Sequence, residues 1–256
     1  MKKLLQIEFI KTTRGTLFYV FIGLFMVSYI LVEAIALYVA TKDPTAFHVE
    51  FPGIWDNSVW LASWLNFFLG IMVLFSITSE FQYRTTRQHI VDGLSKEAFF
   101  VSKLLYAIAL AIFAVIFVSA VTLITGLTQN HGTSFSGAFS GATICFRYFL
   151  QILGYMSLAM FIAYLFRNTA LALVIYLFYM PIESFVGFIV FRNPNNYLPK
   201  TLMGSMVPKP SFLNFAQGVV GLKLEGPSDQ TILILSCLYS LLFFGLGYWL
   251  LKRRNL

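Results

Sequence analysis

Long apolar runs constrain this chain more than any other feature of its sequence. A transmembrane helix needs about 20 apolar residues at a rise of about 1.5 Å each, and runs of that length recur along the whole chain. Hydrophobic residues make up 58% of the sequence and charged residues only 11%. Because soluble domains carry about a quarter of their residues as charged ones, a soluble protein is excluded. The sequence predicts an all-α integral membrane protein.

The apolar runs divide into six predicted spans within a single membrane domain that covers residues 1–256. Only Arg167 and Asn168 separate the fourth span from the fifth, so we expect these two to form a tight helical hairpin. The predicted spans are residues 16–40, 58–78, 104–126, 148–166, 169–191 and 232–251.

The basic residues are distributed unevenly between the connections. With the N-terminus inside, six of the 18 lysines and arginines fall on the outer side and the other twelve on the cytoplasmic side. This asymmetry favours cytoplasmic N- and C-termini. We expect a multi-pass protein of a plasma membrane, such as a bacterial inner membrane, embedded in the lipid bilayer. The net charge of +7 then reflects topology, and no nucleic acid is expected as a partner. The outer residues are Lys42, Arg147, Arg192, Lys200, Lys209 and Lys223.

The first fourteen residues have an amphipathic pattern. Leu4, Leu5 and Phe9 recur at helical spacing, whereas the charged residues lie mostly elsewhere on the helical wheel. This pattern favours a helix that lies in the cytoplasmic interface before the first span. The simpler alternative is a basic flank that only sets the topology.

A charged insert, residues 79–103, interrupts the apolar sequence between the second and third spans. Residues 84–92 can form a short helix that Gly93 terminates, and Ser95 can then cap the next helix. Glu97 lies in the first turn of that helix, where a carboxylate complements the helix dipole. A short helix held between two spans can transmit the movement of a cytoplasmic partner. An ordinary solvated loop is the alternative.

The insert resembles the corresponding region of the ABC-2 family of ABC-transporter permeases. The family pattern is an acidic residue, a Gly-Thr-like pair, a short helix, a Pro/Gly-Leu-Ser-Arg/Lys turn and a lysine that enters the next span. Here Glu80 is followed by Thr85-Thr86, the segment 87–91, the turn 93–96 and Lys103. Thr85 departs from the usual glycine. The N-terminal pattern, the short turn after the fourth span and residues 197–199 also suit the family.

The resemblance implies a permease with six helices around a translocation path. It implies a dimer with a second, identical or similar permease chain, and most often export. The sequence contains no G-x-x-x-x-G-K-[ST] phosphate loop, so ATP and Mg are expected in a separate ATP-binding cassette ATPase subunit, and no catalytic residue or cofactor is expected here. By analogy the coupling residues are Arg84, Thr85, Thr86, Arg87, His89, Ile90, Gly93, Leu94, Ser95 and Lys96.

Two glutamates fall inside predicted spans, where ionisable groups are costly and usually face a bundle interior or water. Glu33 lies late in the first span, and Glu183 lies in the fifth, two residues after Pro181. Pro181 would bend the helix and leave a carbonyl unpaired beside Glu183. We predict that these three residues line the translocation path; the alternative is a position near the outer boundary. Asn66 and Gln151 are expected to form hydrogen bonds between helices.

Two other classes of function remain open. An ion-coupled secondary carrier would use Glu33 or Glu183, and a membrane anchor would use the insert only as a docking site. Cys145 and Cys237 are isolated in the sequence and predict neither a disulfide nor a metal site. The transported substrate does not follow from the sequence.

Overall fold

A computed structural model describes residues 11–12, 15–42, 50–83, 95–129, 135–190, 197–209 and 226–253. The long helices are α1 (Thr16–Lys42), α4 (Lys96–Gln129), α6 (Ile144–Phe166), α7 (Thr169–Val190) and α9 (Asp229–Arg253). Each of these five is long and apolar enough to cross a membrane. The shorter ones are α2 (Gly53–Ser63), α3 (Asn66–Gln82), α5 (Phe135–Ala138) and α8 (Pro199–Gly204).

The second span is bent, which corrects the prediction of one continuous helix over residues 58–78. Helices α2 and α3 meet at an angle of 42° and together complete a sixth candidate span. At the break, the amide of Trp64 donates to the carbonyl of Leu61 and that of Leu65 to Ala62. These bonds span three residues rather than four, so the helix tightens locally and changes direction. The predicted all-α fold with about six spans is otherwise confirmed.

Helix α6 occupies the centre of the bundle, where it packs most extensively against α3 and α9. In its most apolar segment 67% of the residues are buried, against 22% in the corresponding segments of α1, α7 and α9. Small residues such as Ser157, Ala159 and Ala163 are completely buried on α6 and allow neighbouring helices to approach closely. The peripheral helices instead expose large apolar side chains, as a membrane bundle does toward lipid.

The contact between α3 and α7 depends on Gly70. A Cβ atom at this position would lie 1.9 Å from the hydroxyl oxygen of Tyr176, which is completely buried. The absent side chain therefore makes room for a tyrosine ring between the two helices. This is the close helix approach that intramembrane glycines permit.

The hairpin predicted at Arg167 and Asn168 is confirmed. Helix α6 ends at Arg167, which has a left-handed backbone with φ of 54°. The side chain of Asn168 then accepts a hydrogen bond of 3.1 Å from the amide of Leu171, in the manner of an N-terminal cap. A reversal within two residues makes α6 and α7 antiparallel neighbours.

Candidate functional site

A buried charged cluster joins the two ends of the insert, one on α3 and the other on α4. Glu80 on α3 and Lys103 on α4 form an ion pair, and both side chains are almost completely inaccessible to solvent. The ammonium of Lys103 also donates to the hydroxyl oxygen of Ser76 at 2.9 Å and to its carbonyl at 3.1 Å. The ammonium of Lys11, which is more exposed, lies 2.8 Å from Glu80. Because buried charges need partners, this cluster holds α3 and α4 together at one end of the bundle.

The C-terminal end of the insert also contacts another span at that end of the bundle. Ser95 caps α4 by accepting a hydrogen bond of 3.1 Å from the amide of Ala98, as predicted. Lys96 donates to the carbonyl of Lys252, and Tyr248 donates to Glu97; both of these contacts reach α9. A displacement of this flank would therefore act directly on the end of α9.

The N-terminal end of the insert meets the α6–α7 hairpin. Thr169 donates a hydrogen bond of 2.8 Å to the side-chain oxygen of Gln82. The guanidinium of Arg167 lies over the ring of Phe81, with its carbon 4.9 Å from the ring centre. Such cation–π contacts are favourable, particularly where water is excluded. The described ends of the insert, residues 79–83 and 95–103, therefore contact α9 and the hairpin at once.

Most of the predicted coupling residues lie outside the described residues: Arg84, Thr85, Thr86, Arg87, His89, Ile90, Gly93 and Leu94. Ser95 and Lys96 are the two that the structure describes. The amphipathic segment predicted at the N-terminus is described at Lys11 and Thr12 and not over residues 1–10. The outer connection is likewise not described over residues 191–196 and 210–225.

Glu33 lies between α1 and α2 and is buried. One carboxylate oxygen accepts a hydrogen bond of 2.5 Å from the hydroxyl of Ser58. The other oxygen has no hydrogen-bond partner among the described residues. A buried carboxyl with one unpaired oxygen is costly, so this glutamate is a structural feature that packing alone does not explain.

Glu183 caps the short helix α8, a role that its sequence context does not reveal. One carboxylate oxygen accepts from the amide of Lys200 at 3.0 Å, and the other accepts from the amide of Thr201 at 2.8 Å. A carboxylate at a helix N-terminus satisfies unpaired amides and complements the helix dipole. Both oxygens of Glu183 are therefore engaged by the protein.

A cavity of about 540 Å³ lies between the α2–α3 break and helices α6, α7 and α8. Its wall combines aromatic residues, hydroxyl groups and two lysines. Two irregular helix positions border it, namely the break at Trp64 and the proline inside α7. Of the predicted path residues, Pro181 lines this cavity. The lining residues are Trp60, Ser63, Trp64, Asn66, Phe67, Tyr155, Met180, Pro181, Ser184, Lys200, Thr201, Gly204, Ser205 and Lys209.

Two ammonium groups contribute positive charge to the cavity. The ammonium of Lys200 donates a hydrogen bond of 2.6 Å to the hydroxyl of Ser184, while the carboxylate of Glu183 accepts from two backbone amides. Burial lowers the pKa of Lys200, although the charge of Glu183 opposes this shift. Burial and the charge of Lys200 lower the pKa of Lys209. In the sequence both lysines appear only as outer-loop residues, so no local signal could have identified them as a pair.

A chain of hydrogen bonds leads from the centre of the bundle to the cavity wall. Tyr148 donates to the side-chain oxygen of Asn66 at 3.0 Å, and the amide nitrogen of Asn66 donates to Gln151. Gln151 in turn donates to the carbonyl of Gly204 on α8. The predicted inter-helix hydrogen bonds of Asn66 and Gln151 are confirmed, and they hold α3, α6 and α8 in register.

Comparison with protein families gives one match that covers most of the chain. A family model described as an ABC-2 family transporter protein matches residues 4–183. The matched region includes the whole insert, with Glu80 and Lys103, and both intramembrane glutamates. No curated protein matches the chain.

Proposed function

This chain belongs to the ABC-2 family of transporter membrane proteins and is a permease subunit of an ABC transporter, and we propose that it works as an exporter. It would pair with a second permease chain and take its energy from a separate ATP-binding cassette ATPase. Residues 84–96 would form the coupling helix that docks on that subunit. ATP and Mg would be bound by the partner.

The observation that carries this proposal is that the described ends of the insert contact several spans at once. The flanking ion pair between Glu80 and Lys103 is buried, and contacts of Lys96 and Glu97 reach α9. A rigid body docked on residues 84–96 would pull on α3 and α4, and these contacts would carry the movement to α9. Such rigid-body coupling is the type of motion by which domain movements switch access to a site.

The dimer is supported by the apolar surfaces of α1 and α7, which both pack against α3. Ile30 and Phe178 are among the large side chains that remain exposed on these two helices. Lipid tails can cover the same surface, so cross-linking decides between a dimer interface and a lipid-facing surface. In a C145S/C237S background, I30C or F178C should form disulfide-linked dimers, whereas L241C on the exposed side of α9 should not. Equal cross-linking at all three positions, or at none, would argue against this dimer face.

Co-purification with the ATPase tests the coupling role. The variant R84E/R87E should lose the ATPase while the permease stays monodisperse, because charge reversal opposes docking without touching the described bundle. K42E is the matched control, since Lys42 is exposed and lies at the C-terminal end of α1, the end farther from Lys11. If R84E/R87E still retained the ATPase, residues 84–96 would not be part of the interface. Direction is tested by the ATP-dependent accumulation of candidate substrates inside inverted vesicles, which an exporter would show.

The ion-coupled carrier is less well supported, because Glu183 is engaged by the backbone of α8. Glu33 keeps one oxygen without a partner among the described residues and is the better candidate for an ion-binding group. A carrier would transport under an ion gradient without ATP, and E33Q would abolish that transport. A membrane anchor would bind the ATPase without any response of ATP hydrolysis to substrate.

A further inference from the structure

The buried carboxyl groups of the described helices differ in what compensates their charge. Glu80 lies beside two lysine ammonium groups. Glu183 accepts hydrogen bonds from two backbone amides at the N-terminus of α8. Glu33 is only 5% exposed, and the hydroxyl of Ser58 is its one hydrogen-bond donor among the described residues. Of these three glutamates, Glu33 is therefore the one whose charge the described protein does not compensate.

The hydroxyl groups on this side of α1 have already committed their protons, of which each hydroxyl has one. The hydroxyl of Thr122 on α4 donates to the carbonyl of Val118 at 2.9 Å. Tyr29, one turn before Glu33, lies 3.3 Å from the same Thr122 oxygen and is therefore the donor of that bond. The hydroxyl of Ser58 donates to Oε1 of Glu33, whereas Oε2 has no described partner. None of these hydroxyl protons is left for Oε2.

The charged groups on α1 and α2 do not provide a counterion either. Glu33 forms no ion pair with a lysine or arginine of the described ranges. Lys42 on α1 is exposed and follows nine residues later, with its ammonium 5.9 Å from the ring centre of Tyr38. The titratable residue of α2 is Asp56, which is exposed and itself acidic.

The charged groups on α3 and α4, the other helices in contact with α1, lie far along the bundle. Glu80 on α3 contacts Lys11, which precedes α1, whereas Glu33 lies about 26 Å into that helix. On α4 every titratable residue comes at least 16 residues before Thr122, a distance of about 24 Å along the helix. An ionised Glu33 would thus lack a counterion in the part of the bundle that the structure describes. The titratable residues of α4 are Lys96, Glu97, Lys103 and Tyr106.

From this arrangement we propose that Glu33 is a proton-binding site, which carries a proton on Oε2 in the folded permease. An ionised carboxyl without a counterion costs far more in an apolar interior than a neutral acid, even one whose hydroxyl is unpaired. A calcium or magnesium ion would need about six oxygen ligands, whereas a proton needs one. The inference goes beyond the proposed function, because it requires neither the ATPase nor a substrate. It also differs from the ion-coupled carrier, since this proton is held where α1 packs against α2 and is not transported.

Infrared difference spectroscopy distinguishes the two protonation states directly. A protonated carboxyl has a C=O stretching band that an ionised carboxylate lacks, and the carboxylate has two bands of its own at lower wavenumber. In purified permease near neutral pH, the wild-type minus E33Q spectrum should show the protonated band, shifted to lower wavenumber in deuterium oxide. E183Q is the matched control, and its difference spectrum should show carboxylate bands. Carboxylate bands in the E33Q difference spectrum would overturn the proposal and indicate a bound metal cation instead.

A second variant identifies the oxygen that carries the proton and keeps the glutamate in place if E33Q fails to fold. Because Ser58 donates to Oε1, this oxygen is the carbonyl oxygen of the protonated group. S58A removes the hydrogen bond and should shift the C=O band to higher wavenumber. S63A is the control on the same helix, since Ser63 donates to the carbonyl of Trp60, and it should leave the band in place. A band that S58A does not move would not belong to Glu33, and the assignment would be wrong.

Proton linkage provides an independent measurement. A proton that the folded permease holds on Glu33 and the unfolded chain releases makes unfolding more favourable as the pH rises. Above about pH 5, the unfolding equilibrium constant should rise up to about tenfold more per pH unit in the wild type than in E33Q, as one proton per molecule requires. Equal slopes for the two proteins would contradict the site. If the proton is found and the permease binds no ATPase, the proposed function fails and the site stands.

Discussion

The ammonium of Lys103 and the carboxylate of Glu80 form a buried ion pair that joins the two helices on either side of residues 84–94. Ser76 supplies two more acceptors to the same ammonium group. Placing two charges in a bundle interior is costly, and the mutual attraction offsets that cost only when the geometry and the remaining hydrogen bonds are good. The pair therefore joins α3 and α4 at one defined register, next to the segment proposed to receive the force of ATP hydrolysis.

Loss of Lys103 alone should destabilise the bundle. K103M leaves Glu80 buried with the ion pair to the more exposed Lys11, and we expect a loss of about 3 kcal/mol in the free energy of unfolding. The double variant E80L/K103M should recover much of the loss, because it removes both charges. Unfolding in detergent, followed by far-UV circular dichroism, measures both values. K42M is the control, and a K103M loss no larger than that of K42M would contradict the structural role.

Gly70 should not tolerate even a methyl group. In G70A the new Cβ would overlap the hydroxyl of Tyr176, so we expect a loss of about 1–3 kcal/mol, as in other overpacked interiors. The combination G70A/Y176F should recover part of the lost stability, since the hydroxyl oxygen is removed. The recovery is incomplete because the ring carbon Cζ would still lie 2.6 Å from the new Cβ.

The matched control for Gly70 is Gly245. A Cβ at that position meets no atom within 4 Å in the part of the chain that the structure describes. G245A should therefore be neutral or slightly stabilising, because alanine favours a helix more than glycine does. Equal losses for G70A and G245A in the same unfolding assay would show that the α3–α7 contact is looser than described.

Neutralising Glu183 should affect the outer connection rather than energy coupling. E183Q can still accept hydrogen bonds through its amide oxygen, but its NH₂ group would face a backbone donor of α8. We expect a loss of about 1–2 kcal/mol in stability, in the range found for helix caps. ATP-dependent transport should continue at a reduced rate. Complete loss of transport with unchanged stability would favour the ion-coupled carrier instead.

Two serine caps offer a matched pair for the coupling region. Ser95 accepts from the amide of Ala98 at the start of α4, and Ser228 accepts from the amide of Thr231 at the start of α9. S95A and S228A should each cost about 1 kcal/mol in stability. Only S95A, beside the insert, should lower the response of the ATPase to substrate. Equal effects of the two variants on ATP hydrolysis would mean that the loss of stability explains both, and that the cap at Ser95 has no separate role in coupling.

Several features of the fold could be predicted from local sequence because their physical cause is local. Apolar runs long enough to cross a bilayer must form helices, since lipid offers no partners for backbone polar groups. The α6–α7 hairpin followed from the two residues between the spans, and the cap at Ser95 from its place before Glu97. The bend at Trp64 did not follow, because apolar periodicity continues through the break and only the hydrogen-bond pattern changes.

The sequence by itself therefore determined the membrane class, the approximate spans and the family, through length, hydropathy and the motif around the insert. Only the tertiary structure decided which distant residues meet. It paired Glu80 with Lys103, engaged Glu183 as the cap of α8, and brought Lys200 and Lys209 to one cavity with Trp60 and Trp64. The physical reason is that charge pairing and cavities depend on helix rotation and packing, which are set by contacts between residues far apart in the chain.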